Sequence, residues 1–108
     1  MDSIIKDPNM DFFVSAILKL KTPEECYDFF EDLCTIPEAR AISQRLVVAK
    51  LLEDKWVYSD IVDKVGASTA TISRVSRSVN HGRGAYHLVF ARMAEDEVAV
   101  LPAPPAKS

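Results

Sequence analysis

The 108-residue sequence contains few of the residues that build metal centres, disulfide frameworks and phosphate-binding loops. It has two cysteines, two histidines and three glycines. Cys26 and Cys34 lie eight residues apart, and on one helix that spacing gives a rise of about 12 Å, too long for a disulfide. A metal site would need more Cys or His at ligand spacing. We therefore expect two reduced thiols and no bound metal.

Long apolar runs are absent as well. No segment approaches the roughly 20 apolar residues of a membrane-spanning helix, because Lys19, Lys21 and acidic residues interrupt every candidate. The N-terminal segment is acidic and lacks the basic start of a signal peptide. We therefore expect a cytoplasmic protein with no membrane partner. We also expect one domain, since 108 residues of 48% hydrophobic composition suffice for one core. No Ser/His/Asp or Cys/His arrangement suggests an enzyme.

Acidic residues are missing from one part of the chain. The net charge is −3, yet no acid occurs between Asp63 and Glu95. The five basic residues of that interval are Lys64, Arg74, Arg77, Arg83 and Arg92. This distribution predicts a basic surface that would orient the protein on a polyanion. The alternative is an ordinary solvated surface, which the complete absence of acids in the interval disfavours.

Helix-start signals occur twice in the first half of the chain. Thr22-Pro23-Glu24-Glu25 and Thr35-Ile36-Pro37-Glu38 each combine a capping residue, a proline near the first helical position and acids in the first turn. Asp7 or Asn9 is expected to cap an earlier helix. Apolar periodicity then predicts an all-α chain without strands. Outside the central segment, helices are expected at 10–20, 23–33, 37–53 and 85–95.

The central segment, residues 57–80, is predicted to form two short helices separated by a turn at Gly66-Ala67-Ser68. Gly66 can adopt the positive φ that ends the first helix, and Ser68 or Thr69 can cap the second. The apolar positions match a helix-turn-helix: Ile61, Val65, Ala67, Ile72 and Val75. An ordinary helical hairpin with a glycine turn is the alternative. Asn80 or Gly82 is expected to end the second helix in the left-handed conformation.

Aromatic side chains are concentrated in the helices before this segment. They are Phe12, Phe13, Tyr27, Phe29 and Phe30. Leaving so much apolar surface in water costs about 25 cal/mol per Å², and a two-helix motif needs little scaffold. We therefore expect these helices to pack against a second subunit, as in the symmetric dimers that read two DNA half-sites.

Three segments resemble the tryptophan-repressor family. They are residues 33–42 (LCTIPEARAI), Leu51-Leu52 and residues 66–74 (GASTATISR). The resemblance to the repressors proper covers about residues 33–80, and that to the YerC/YecD-type TrpR-related proteins about 8–95. It implies an all-α, intertwined homodimer from which two helix-turn-helix heads project, acting as a DNA-binding transcriptional regulator, and as a repressor in particular. The expected organisation is a flexible N-terminus (1–9), a helical domain (10–95) with a dimerisation core (10–53), a helix-turn-helix (57–80) and a last helix (85–95), and a disordered proline-rich tail (96–108).

We expect the second helix of the central segment to make the contacts with double-stranded DNA. Its exposed residues are short, polar or basic, which suits the floor of the major groove. Ser68, Thr69 and Ala70 would enter the groove first, Thr71 and Ser73 would meet base edges or phosphates, Arg74 and Arg77 phosphate or guanine, and Arg83 a phosphate beyond the helix. The alternative is a protein-interaction module that does not bind DNA, which the acidic net charge favours.

In the family, tryptophan binds between the core and the recognition helix. The resemblance places Thr35, Arg74 and Ser78 at positions of that pocket, with either Arg45 or Gln44 as its second arginine position, depending on the direction of alignment. Val75 stands where the repressor has glycine, and a branched side chain there would crowd an indole ring. We therefore do not expect a tryptophan co-repressor, and another effector or none remains open.

Overall fold

The computed structural model describes residues 3–96, which form six α-helices and no strand. The fold is therefore all-α, as the sequence predicts. In chain order the helices are α1 (Pro8–Ile17), α2 (Pro23–Leu33), α3 (Ile36–Glu53), α4 (Tyr58–Val65), α5 (Thr69–His81) and α6 (Ala85–Glu95). Among these residues no helix is both long enough and apolar enough to cross a membrane. The expected tail at 96–108 lies, beyond Asp96, outside the described residues.

The chain divides into two compact units, Met1–Ala39 and Arg40–Ser108. In the first unit, α1 begins two residues earlier than predicted, because the Asp7 side chain accepts the Met10 N–H at 2.8 Å and Pro8 occupies the first turn. It also ends three residues earlier. Lys19 and Leu20 donate to carbonyls only three residues back, at 3.0 and 3.1 Å, and such tight turns close a helix.

Reciprocal capping starts the next two helices. Thr22 Oγ1 accepts the Glu25 N–H at 3.1 Å, and the Glu25 carboxylate accepts the Lys21 N–H at 2.9 Å. Thr35 and Glu38 form a capping box at 2.8 and 3.3 Å. Hydrogen bonds with Thr35 hold the pKa of Glu38 below its usual range. The bond with the Thr35 backbone N–H has the larger effect, and that with the Thr35 side chain the smaller. The predicted starts are thus confirmed, with α3 beginning one residue earlier.

The first unit contains no buried side chain on α1 or α2. Phe12 is 79% exposed and Tyr27 is 72% exposed, while Phe29 and Phe30 form an edge-to-face pair with ring centroids 5.7 Å apart. Of the five aromatic residues that the sequence assigns to burial, Phe12 and Tyr27 are therefore open to solvent in the single chain, and the other three are half-buried.

The second unit has a contiguous apolar core. Its buried members are Val48, Ala49, Leu51, Trp56, Ile61, Ala67, Ile72, Val75 and Phe90. They come from the second half of α3, the connection after it, and α4, α5 and α6. The core thus holds the α4–α5 pair against α3 and α6, which sets the position of the surface described below.

A Schellman motif joins α3 to α4. The Lys55 N–H bonds to the Leu52 carbonyl and the Trp56 N–H to the Leu51 carbonyl, both at 3.0 Å. Lys55 adopts a φ of 70°, a conformation that usually favours glycine. Leu51 and Trp56 are both buried members of the core, and their burial helps to offset the unfavourable backbone conformation at Lys55.

The end of α5 differs from the prediction. Neither Asn80 nor Gly82 is left-handed, because Asn80 continues the helix and Gly82 has a φ of −86°. Position 82 requires glycine for a reason other than a positive φ. A Cβ there would collide with the Ser78 carbonyl oxygen, which accepts the Gly82 N–H at 2.9 Å. The left-handed residue is Gly84, with a φ of 81°, immediately before α6.

Candidate nucleic-acid interface

The turn between α4 and α5 has the predicted geometry. Gly66 is left-handed, with a φ of 77° and its N–H bonded to the Val62 carbonyl at 2.8 Å. Ser68 caps α5 by accepting the Thr71 N–H at 3.1 Å. Of the two capping candidates, Ser68 and Thr69, the structure therefore selects Ser68. Three residues, 66–68, thus connect the two helices.

One face of the α4–α5 pair is buried. Ile61 on α4 and Ile72 on α5 have no exposed surface, and Ala67 between them is 3% exposed. Val75, one turn beyond Ile72, is 4% exposed. Val65 is half-buried beside this core. The five apolar positions on which the prediction rested therefore all face the interior, four of them fully.

The opposite side of α5 is open to solvent. Four exposed residues recur there at helical spacing: Ala70, Ser73, Arg74 and Arg77. We call these four residues the outer face of α5. From Ala70 to Arg77 the helix rises about 10 Å, close to the roughly 12 Å width of the DNA major groove. Thr69 at the first turn is also exposed.

The charges of the outer face are not neutralised within the described chain. Arg74 and Arg77 form no ion pair with any other residue of 3–96. Arg83 lies in the exposed loop between α5 and α6. Glu53 and Asp54, two acids that precede the acid-free interval, form ion pairs with Lys50 at 3.6 and 3.1 Å. The guanidinium groups of Arg74 and Arg77 are therefore exposed and have no acidic partner within residues 3–96.

The hydroxyl groups at the start of α5 have a local role as well. Ser68 Oγ donates to Thr71 Oγ1 at 3.1 Å in addition to capping the helix, and Thr71 is half-buried. Thr69 and Ser73 make no such contact with the described chain. Among the hydroxyl residues predicted to meet DNA, Thr69 and Ser73 are thus the more available to a ligand.

The predicted effector residues fall into different parts of the chain. Thr35 lies in the first unit, where its side chain caps α3. Arg45 on α3, and Arg74 and Ser78 on α5, are exposed residues of the second unit, and Ser78 Oγ donates to the Arg74 carbonyl at 3.5 Å. The assignment of these four residues to one pocket stays a prediction.

One contact at this site was not predicted. His87 on α6 lies with Nδ1 2.8 Å from Glu53 Oε1 and Nε2 3.3 Å from the Val79 carbonyl oxygen. The hydrogen bond to Glu53, and next that to Val79, raise the pKa of His87 above its ordinary value. Glu53 precedes His87 by 34 residues, so no periodicity in the sequence links them.

The arrangement of these helices is that of the TrpR-like all-α proteins. The crystal structure of a TrpR-like protein from Eubacterium eligens matches it with a TM-score of 0.81 and 51% sequence identity, covering 83% of this chain and 93% of that one.

The model of the Trp repressor protein family matches residues 8–94, and the chain therefore belongs to that family. It is 46% identical to the uncharacterized protein YerC of Bacillus subtilis over 93 residues, 86% of this chain and 89% of that protein. It is 35% identical to a Trp operon repressor homolog of Chlamydia caviae over 68 residues, 62% of this chain and 67% of that protein. Membership of this family indicates a DNA-binding transcriptional regulator.

Proposed function

We propose that this protein is a homodimeric, sequence-specific transcriptional regulator that reads duplex DNA with α4 and α5 as a helix-turn-helix. The observation that carries the proposal is the outer face of α5: small and polar residues near its start, followed by two arginines without an acidic partner in the described chain. A helix of this composition fits the major groove, where small side chains permit close approach and arginine binds guanine or phosphate.

In this proposal α5 enters the groove by its N-terminal end. Thr69, Ala70 and Ser73 approach base edges, while Ser68 and Thr71 hold the first turn through their mutual hydrogen bond and offer their remaining capacity to phosphate. Arg74 and Arg77 follow along the outer face and bind phosphate or guanine. Arg83, in the loop after α5, reaches a phosphate outside the groove. These roles extend the usual division in which phosphate contacts position the protein and base contacts select the sequence.

Dimerisation would remove exposed apolar surface of the first unit from water. Its apolar residues more than half exposed include Phe12, Leu18, Tyr27 and Leu33, and a single chain leaves most of this apolar surface in water. A second copy could cover such a surface with a matching one, since a two-fold interface uses the same patch on both subunits. Two α5 helices would then address half-sites about one helical turn apart on the DNA.

The burial of Val75 bears on regulation. A branched side chain occupies the interior at the position where the resemblance expects the glycine beside tryptophan, and it is 4% exposed. A bound indole would have to displace it from a close-packed core. We therefore propose that DNA binding does not require tryptophan.

Light scattering and selection from a random duplex pool, with and without tryptophan, test this function. The expected result is a dimer that retains a palindrome with half-sites about one turn apart, equally well in both conditions. A dimer that retains no DNA at low salt, and that also does not bind the polyanion heparin, would contradict the proposal and favour a protein-interaction module. A monomer that binds DNA would contradict the dimer alone.

A further inference from the structure

The His87 side chain contacts two elements besides its own helix. Nδ1 faces a carboxylate oxygen of Glu53, the last residue of α3, and Nε2 faces the Val79 carbonyl in the last turn of α5. All three positions belong to the second unit. The imidazole ring therefore connects α6 and the end of α3 to the C-terminal end of the helix that carries the proposed DNA-reading face.

Both partners of His87 are hydrogen-bond acceptors. A neutral imidazole has one N–H and one lone pair, so in either tautomer one of the two contacts would set a lone pair against an acceptor oxygen. Only the imidazolium donates to both partners. Val79 also lies in the last turn of α5, where carbonyl groups run out of intrahelical donors and attract positive charge. The geometry therefore favours the protonated ring over either neutral tautomer.

The surroundings of His87 contain other charged and titratable groups. On α3, Lys50 Nζ lies 3.6 Å from a carboxylate oxygen of Glu53, the residue that His87 also contacts, and 3.1 Å from a carboxylate oxygen of Asp54. On α5, His81 is the last residue, and Arg83 follows in the loop. On α6 itself, Tyr86 precedes His87 and stacks on Phe90 at 6.0 Å. Lys50 lies over the ring of the same Phe90 at 5.4 Å. This packing holds α6 beside α3 and keeps His87 within reach of Glu53.

We propose that protonated His87 is a positioning residue: by bridging Glu53 to the Val79 carbonyl it holds the last turn of α5 in place, so that DNA affinity rises as the pH falls. The inference rests on the proposed function. Ser68 secures the first turn of α5 through its capping bonds, and the imidazolium secures the other end. The outer face between them is then presented in one orientation, with less conformational freedom to lose on binding.

The direction of the pH effect follows from the raised pKa of His87. A group whose pKa is higher in the bridged state stabilises that state fully below its ordinary pKa, about 6.5, and loses the effect as the pH rises through the raised value. Because the His87 side chain is 53% exposed, we expect a modest effect, about two- to fivefold in DNA affinity between pH 5.5 and 8.5, in line with exposed ion pairs.

The test compares the full-length protein with the variants H87Q and E53Q on one selected duplex, at constant ionic strength, from pH 5.5 to 8.5. H87Q should lose the two- to fivefold component of the pH dependence. E53Q should shift it to lower pH, because the neutral amide no longer favours the imidazolium. A wild-type pH profile in H87Q would overturn the proposal. Contributions from all other groups are common to the two proteins and cancel in the difference.

A second readout uses the free protein and does not involve DNA. The ring titration of His87, followed by NMR, should lie above the ordinary range in the wild type and move down in E53Q. Amide exchange in the last turn of α5 should be slower at low pH in the wild type, with no such change in H87Q. An ordinary titration, or equal exchange in both, would overturn the proposal even if DNA binds. The expected titration and exchange without DNA binding by any variant would instead refute the proposed function.

Discussion

The salt dependence of DNA binding gives a quantitative test of the outer face of α5. Each lysine or arginine that neutralises a phosphate contributes about 0.9 to the slope of log K against log salt concentration. The proposal assigns Arg74, Arg77 and Arg83 to each protomer, so a dimer on two half-sites is expected to have a slope of about −5. Raising the salt from about 50 to 200 mM would then lower the affinity roughly 10³-fold.

Replacing Arg77 by alanine removes one such contact from each protomer. The slope should become shallower by about 2, and the same salt step should lower the affinity only about 10²-fold. The Arg77 side chain is exposed and has no ion pair in residues 3–96, so the substitution leaves no unpaired acid behind in that range and should preserve the fold. Affinity should fall on all sequences alike if Arg77 binds phosphate.

Fluorescence anisotropy on one duplex over four or more salt concentrations measures the slope. Arg40→Ala is a matched control, because it removes the same charge from an exposed position on α3, outside the acid-free interval. Equal slopes for the wild type and Arg77→Ala would refute the placement of Arg77 at the interface. Equal losses of slope in both variants would show a general charge effect and refute a local contact.

Three further predictions concern the framework that holds this face. Ile72→Ala should destabilise the protein by about 2–5 kcal/mol in urea denaturation, because Ile72 is fully buried, and Ile72→Val by only about 0.5–1.5 kcal/mol; equal values would contradict the packing. Gly82→Ala should cost about 1–3 kcal/mol, since its Cβ meets the Ser78 carbonyl, and an unchanged midpoint at fixed protomer concentration would show that this end of α5 can adapt. Lys55→Gly should raise the thermal midpoint by relieving the positive φ of Lys55, a gain of up to about 1 kcal/mol; a lowered midpoint would mean that the lysine side chain contributes more than the backbone strain costs.

Local signals account for the parts of the fold that the sequence predicts well. A threonine before Pro23 and a threonine two residues before Pro37 start helices at those places because the capping bonds span only three residues. Gly66 ends α4 because glycine tolerates the left-handed conformation. The Schellman motif at Lys55 escaped prediction, since its αL residue is not the glycine or asparagine that usually marks it.

The end of α5 shows where local reasoning fails. The sequence predicts the left-handed residue at Asn80 or Gly82, yet the positive φ lies at Gly84, and Gly82 is needed because it lies so close to the Ser78 carbonyl. Both roles select glycine, so the residue type does not distinguish them. The predicted exposure of α5 is more secure, because helical periodicity determines which residues share a face once one face is buried.

The sequence by itself determined the helical class, the helix starts to within two residues, the turn at Gly66 and the division of α5 into a buried and an outer face. The helix starts and the turn depend on hydrogen bonds between residues at most four positions apart, and the two faces of α5 follow from the helical period of its apolar residues; a linear pattern records both. Only the tertiary structure decided that His87 meets both Glu53 and Val79. The packing of α6 beside α3 joins residues 34 positions apart, and only the folded core brings such distant groups within hydrogen-bonding distance.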